Sequence, residues 1–109
     1  MSVSVIVSNP ATLEQQLINI PVATESVFNS LWQTACDALN LQLVPLFSLG
    51  IDVGTDELND LLDELERLKM WAENYRPQTD EVTQMQERVT RLINELPILV
   101  TPTSGVFIG

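Results

Sequence analysis

The 109-residue sequence contains no histidine. Histidine is the commonest general base at neutral pH and a usual zinc ligand, and serine and cysteine nucleophiles often rely on an imidazole partner. Enzymes that depend on a histidine are therefore excluded. The single cysteine, Cys36, cannot close an internal disulfide. Its place beside Ala35 on a predicted helix favours a buried, inert thiol over a nucleophile.

Glycine is also scarce, with four residues at positions 50, 54, 105 and 109. None of them begins a GxGxxG or GxxxxGK sequence, so we expect no nucleotide binding through a glycine-rich loop. A calcium loop starting at Asp52 fails because Gly54 stands where an oxygen donor is needed. We therefore predict no cofactor and no bound metal. Asp56, Asp60 and Glu64, at four-residue spacing, leave a looser magnesium or manganese site as an alternative.

Basic residues are few, because five lysines and arginines face fifteen acids and leave a formal charge of −10. Such a charge repels phosphate backbones and anionic lipids, so we predict neither a nucleic-acid nor a membrane partner. No apolar run approaches the roughly 18 residues of a spanning helix, and no basic residue precedes the short apolar run at the N-terminus. These features indicate a soluble cytoplasmic protein, with residues 1–109 as a single domain.

Apolar residues recur at helical spacing in two consecutive segments of the charged part of the chain. The pattern predicts helices at about 56–76 and 80–96, with threonine caps at Thr55 and Thr79. Pro77 and Pro97 are expected to end them. The short RPQT link predicts that the two helices form an antiparallel hairpin with their apolar stripes buried.

The N-terminal part of the chain predicts a strand and two further helices. Alternation in SVSVIVS predicts a strand over residues 3–8. A Thr12/Gln15 capping box indicates a short helix before Pro21. An apolar stripe predicts a helix over residues 25–40, with Thr24 as its cap.

The remaining apolar segments predict further strands. LQLVPLFSLGIDV is expected to form an edge or bent strand, because Pro45 lacks a backbone donor. ILVTPTSGVFIG predicts two short strands around a turn. The whole pattern predicts an α+β fold, in which a helix layer covers one face of a small mixed or antiparallel sheet of about four strands.

The stretch TDELNDLLDELERLK places six carboxylates within eleven residues, ahead of the first base at Arg67. Helix-dipole complementarity accounts only for those in the first turn, and like charges four residues apart weaken an isolated helix. We expect these acids first to serve solubility and helix capping, and only second to recognise a basic partner. Trp71 joins the candidates because an exposed Met-Trp pair would form an interaction patch, although Trp71 in the core is the alternative. The candidate partner-binding residues are Asp56, Glu57, Asp60, Asp63, Glu64, Glu66 and Trp71.

Three functions remain open, and we expect the protein not to be an enzyme. The first is a small acidic protein-binding module that engages a basic partner, as an inhibitor, immunity-like protein, antitoxin or chaperone does. The second is a structural or assembly protein that self-associates as a homodimer through nearly uncharged segments at 1–13, 38–51 and 96–109. The third is a small enzyme that uses carboxylates and a metal.

Overall fold

A four-stranded antiparallel sheet organises the fold in the computed structural model, which describes residues 2–109. The strands are β1 (Ser2–Val7), β2 (Ile20–Thr24), β3 (Ile51–Val53) and β4 (Val106–Ile108). Their spatial order is β2-β1-β4-β3, and every neighbouring pair is antiparallel. The two ends of the described chain therefore meet in the middle of the sheet. The predicted α+β fold with a sheet of about four strands is confirmed.

One face of the sheet belongs to the core. Along β1 the side chains of Val3, Val5 and Val7 are buried, whereas Ser4 is half-buried and Ile6 is exposed. This alternation has the two-residue period of a strand whose faces meet different environments. The outer face, which carries Ile6, is left open.

Helical segments supply the other side of the core. They are α1 (Leu13–Gln16), α2 (Glu25–Val27), a π-helical turn (Phe28–Trp32), α3 (Gln33–Leu39), a 3-10 helix (Val44–Ser48), α4 (Thr55–Asn74) and α5 (Asp80–Leu99). The α2, π-helical and α3 segments follow one another without interruption and correspond to the helix predicted over 25–40. Thr24 caps this run by accepting the N–H of Val27 at 3.2 Å, as expected. None of these helices, within residues 2–109, is both long and apolar enough to cross a bilayer.

The helices α4 and α5 pack together as the predicted hairpin. Thr79 caps α5 by accepting the N–H of Val82 at 3.3 Å. Of the residues in the two predicted apolar stripes, Leu58, Leu62 and Ile93 are half-buried and Tyr75 is 37% exposed. The other nine side chains are almost fully removed from solvent, at 1% exposure or less. They are Leu61, Leu65, Leu68 and Ala72 of α4 and Val82, Met85, Val89, Leu92 and Leu96 of α5.

Two helix boundaries differ from the prediction. Gly54, not Thr55, is the N-cap of α4, because the Glu57 carboxylate accepts the Gly54 N–H at 2.9 Å and Thr55 already has a place in the helix. Pro97 does not end α5, which continues to Leu99. A proline in the last turn removes a single helical hydrogen bond, and the helix tolerates this loss where its end is frayed.

Three strand predictions also need correction. The segment around Pro45 folds into the 3-10 helix, because proline suits the first turn of a helix, and only Ile51–Val53 remains as a strand. At the C-terminus, residues 98 and 99 extend α5, so β4 is the single strand there. The strand β2 was not predicted. It lies at the sheet edge, where Pro21 is tolerated.

We expect Leu65→Asp to unfold the protein, since Leu65 is fully buried in the hairpin seam. An unpaired charge there costs several kcal/mol, against total stabilities of about 5–15 kcal/mol. Far-UV circular dichroism and urea unfolding measure the effect. Met70→Asp is the matched control on the same helix, because Met70 is 62% exposed, and it should leave stability nearly unchanged. A Leu65→Asp protein as stable as this control would contradict the packing described above.

Candidate functional site

Four of the six carboxylates in the predicted cluster face solvent from α4. Asp56, Asp60, Asp63 and Glu66 are all exposed. At 3.6 residues per turn, the three aspartates lie within an arc of about 60° around the helix axis, and Glu66 lies about 60° beyond Asp63, so the four carboxylates span about 120°. Their spacing brings them onto one side of α4. We call these four residues the acidic face.

The other two carboxylates, Glu57 and Glu64, accept hydrogen bonds from backbone amides of the protein itself. Glu57 closes the N-terminus of α4 on Gly54, as described above, in the manner of a capping box. Glu64 is 7% exposed and is the only buried charged residue in the described part of the chain. Both side chains therefore already have intramolecular partners.

The Glu64 carboxylate binds three consecutive backbone amides. It accepts the N–H groups of Gln42 at 3.2 Å, Leu43 at 3.0 Å and Val44 at 3.0 Å. These amides open the 3-10 helix, where backbone donors lack intrahelical acceptors. A charged acceptor satisfies them strongly, and they in turn stabilise a carboxylate that burial would otherwise disfavour. Glu64 is thus a cap supplied by a distant helix.

Arg67 makes a second link, which joins α4 to the end of α3. Its guanidinium donates a hydrogen bond to the backbone carbonyl of Leu39, the last residue of α3, at 2.5 Å. The following residue, Asn40, has φ 56° and ends α3 in the left-handed conformation. Arg67 is therefore directed to a helix C-terminus and not to Asp63, which lies one turn before it on α4.

The acidic face therefore forms no close ion pair in the part of the chain that the structure describes. Among residues 2–109, the only ion pair within 4 Å joins Arg91 and Glu95 of α5, at 2.6 Å. Asp60 and Asp63 line a cleft of about 330 Å³ together with Gln42, Leu43, Glu64 and Arg67. The exposed carboxylates thus border the segment that Glu64 and Arg67 hold in place.

Trp71 lies about one turn beyond Arg67 and is half-buried. Its ring stacks on that of Tyr75, with ring centroids 4.6 Å apart. Met70 beside it is 62% exposed. Of the predicted Met-Trp pair, Met70 is the exposed member and lies one turn beyond Glu66 of the acidic face. Trp71 presents only part of its surface and lies about 12 Å along the helix axis beyond Asp63.

The structure also bears on the metal alternative. Within residues 2–109, no three carboxylate or thiol side chains are arranged to hold a metal ion. Glu64, one of the three acids considered for such a site, is occupied by backbone amides.

The role of Glu64 was not predicted, although its position on the helix carries a signal. At 100° per residue, Glu64 lies next to the edge formed by Leu61 and Leu68, whereas the three aspartates lie farther from the apolar stripe. An acid at the border of a buried stripe is a candidate for an internal contact. The identity of the amides that it binds depends on tertiary structure.

Cys36 is buried beside this arrangement. Burial, followed by the negative charges of Glu64 and Asp37, raises the pKa of the Cys36 thiol to about 12. A thiol in this state is a poor nucleophile at neutral pH, since the thiolate is the reactive form.

No protein-family model matches the chain, and neither curated proteins nor solved structures show a significant similarity to it. The function must therefore be argued from the residues themselves.

The Cys36 thiol should make stability fall in alkali. The pKa of this thiol is about 12 in the folded protein, whereas an ordinary cysteine thiol, as in the unfolded chain, has a pKa of 9.0. Above pH 9 the unfolded chain therefore releases a proton that the folded protein keeps. The resulting loss of stability should reach about 1 kcal/mol by pH 10. Urea unfolding of the parent and of Cys36→Ala between pH 7 and pH 10 isolates this effect, because all other titrating groups are shared. A stability difference between the two proteins that does not change with pH would contradict the prediction.

Proposed function

We propose that this chain is a protein-binding module whose acidic face engages a basic protein partner. One observation carries the proposal: Asp56, Asp60, Asp63 and Glu66 are exposed on one helix and form no ion pair within residues 2–109. Neither of the two bases that follow them on α4, Arg67 and Lys69, forms an ion pair with them, and Arg67 donates instead to a backbone carbonyl.

Uncompensated like charges are costly for the isolated protein. Acids four residues apart, such as Asp56 and Asp60, repel one another and weaken a helix by a few tenths of a kcal/mol per pair. A partner with lysine and arginine side chains removes this repulsion on binding. The field of the face also accelerates encounter with such a partner.

The proposed face is narrower than the cluster considered from the sequence. Glu57 and Glu64 are left out, because capping and the buried amide contacts already use their oxygens. Trp71 is kept at the margin, where its stack with Tyr75 and the exposed Met70 offer apolar contact area. Small inhibitors, immunity-like proteins, antitoxins and chaperones with basic targets fit this description.

Neutralising two aspartates provides the test. Asp60→Asn/Asp63→Asn changes the formal charge from −10 to −8 and leaves the cap and the buried carboxylate intact. Glu14→Gln/Glu87→Gln is the matched control, since both residues are exposed outside α4 and the net charge again becomes −8. The proteins are immobilised and used to capture partners from an extract of the source cells.

Association rates of the purified captured protein are then measured over a range of salt concentrations. We expect a basic protein whose association at low salt slows about tenfold or more with the Asp60/Asp63 variant and little with the control. The difference should shrink as salt reduces the screening length to about 8 Å at physiological ionic strength. Equal rates for the two variants, or capture of no basic protein, would refute the proposal.

The open sheet face supports a second candidate, self-association as a homodimer. Ile6, which is 42% exposed, lies opposite Phe107 of β4, and Phe107 lies opposite Asp52 of β3. Asp52 is the only charged residue in the four strands, so two copies can approach through this face with little of the repulsion that the acidic face imposes.

We expect Ile6→Lys to abolish any dimer, because it places a charge in the middle of the open face. Leu17→Lys makes the same change at an exposed leucine of the α1 region and serves as the control. Sedimentation velocity from micromolar to near-millimolar concentration gives the mass. A parent protein that remains at 12.2 kDa throughout would remove this candidate.

A further inference from the structure

The segment of residues 40–48 links α3 to β3 by way of the 3-10 helix, and its hydrogen bonds to α4 all go to one side chain, that of Glu64. The N–H groups of Gln42, Leu43 and Val44 all donate to the Glu64 carboxylate. Pro45 has no N–H to donate, and the N–H of Leu41 donates to the carbonyl of Cys36 at 3.0 Å. A single carboxylate therefore satisfies three consecutive backbone donors.

The same segment covers part of the core. Leu41, Val44 and Phe47 anchor it with buried side chains. Cys36, on the last turns of α3, is 1% exposed, and its backbone carbonyl accepts the N–H of Leu41 in this segment at 3.0 Å. The only cysteine of the chain therefore lies close to this segment.

We propose that residues 40–48 form a strap that Glu64 latches to α4, and that this strap opens as a unit before the rest of the fold and uncovers Cys36. The proposal is independent of the partner-binding function. Proteins open in cooperative segments whose stability is set by their own contacts, and the hydrogen bonds that join the strap to α4 are concentrated on Glu64. Neutralising that residue leaves three donors poorly satisfied, among them the buried N–H of Val44, which favours the open form.

Glu64→Gln tests the latch with almost no change in side-chain volume. Hydrogen exchange followed by mass spectrometry reports the opening of each segment, and labelling by a soluble aromatic disulfide reports the accessibility of Cys36. Asp63→Asn is the matched control, because it removes the same charge from the neighbouring, exposed position. Val89→Ala is a second control, which lowers the global stability from within α5.

Opening of the strap predicts a localised response in Glu64→Gln. Exchange of residues 40–48 and labelling of Cys36 should each accelerate about tenfold or more, while exchange in α5 and β1 changes less. Asp63→Asn should leave both rates unchanged. Val89→Ala should accelerate exchange in α5 more than it accelerates exchange in the strap.

Two results would overturn the proposal. One is an equal acceleration of all protected segments in Glu64→Gln, which would mean that the strap opens only with the whole fold. The other is unchanged exchange in residues 40–48. If Glu64→Gln does not fold, exchange of the parent in increasing low concentrations of denaturant decides the question. Strap amides that exchange with little dependence on denaturant support the proposal, and strap amides that follow global unfolding refute it.

Discussion

The hydrogen bonds between the Glu64 carboxylate and the amides of residues 42–44 connect the two parts of the molecule that differ most in their content of charged residues. On one side lies the charged hairpin of α4 and α5, and on the other the nearly uncharged segment that leads from α3 into β3. Apolar burial places these parts in contact but leaves the three amides without backbone acceptors. A carboxylate from α4 satisfies them together, which fixes the path of the chain between α3 and the edge of the sheet.

This contact divides the acids of α4 into two groups with different physical roles. Glu57 and Glu64 accept backbone hydrogen bonds, so their charge stabilises the fold. The acidic face forms no ion pair among residues 2–109, and its like charges work against the helix that carries them. The six acids at 56–66 therefore do not share one role. Only its exposed part remains available for recognition, and only that part is assigned to a partner in our proposal.

The sequence predicted the elements whose pattern is local. The stripe through Leu61, Leu65 and Leu68 identified α4, and threonine caps at Thr24 and Thr79 located two helix starts, because these signals depend on residues a few positions apart. The cap of α4 was misplaced by one residue, since Thr55 and Gly54 compete for that role and the Glu57 contact decides between them. The strand β2 was missed because Pro21 argues against a strand unless the strand is known to lie at a sheet edge.

The candidate site was predictable only as a group of residues. The acids and Trp71 were identified from the sequence, but the distinction between Glu64 and its neighbours requires knowing that the amides of residues 42–44 pack against α4. These amides lie 20 to 22 positions away in the chain. No periodicity or spacing rule connects such residues. The amides that Glu64 binds could therefore be identified only once the fold was known.

The division of the acids can be tested most directly by measuring NMR scalar couplings across hydrogen bonds in the ¹³C- and ¹⁵N-labelled protein. The account predicts that the amides of Leu43 and Val44 couple to the side-chain carboxyl carbon of Glu64, and that the carboxyl carbons of Asp60 and Asp63 show no coupling to any amide. Amides at 43 and 44 that couple instead to a backbone carbonyl, or couplings from Asp60 or Asp63, would contradict it.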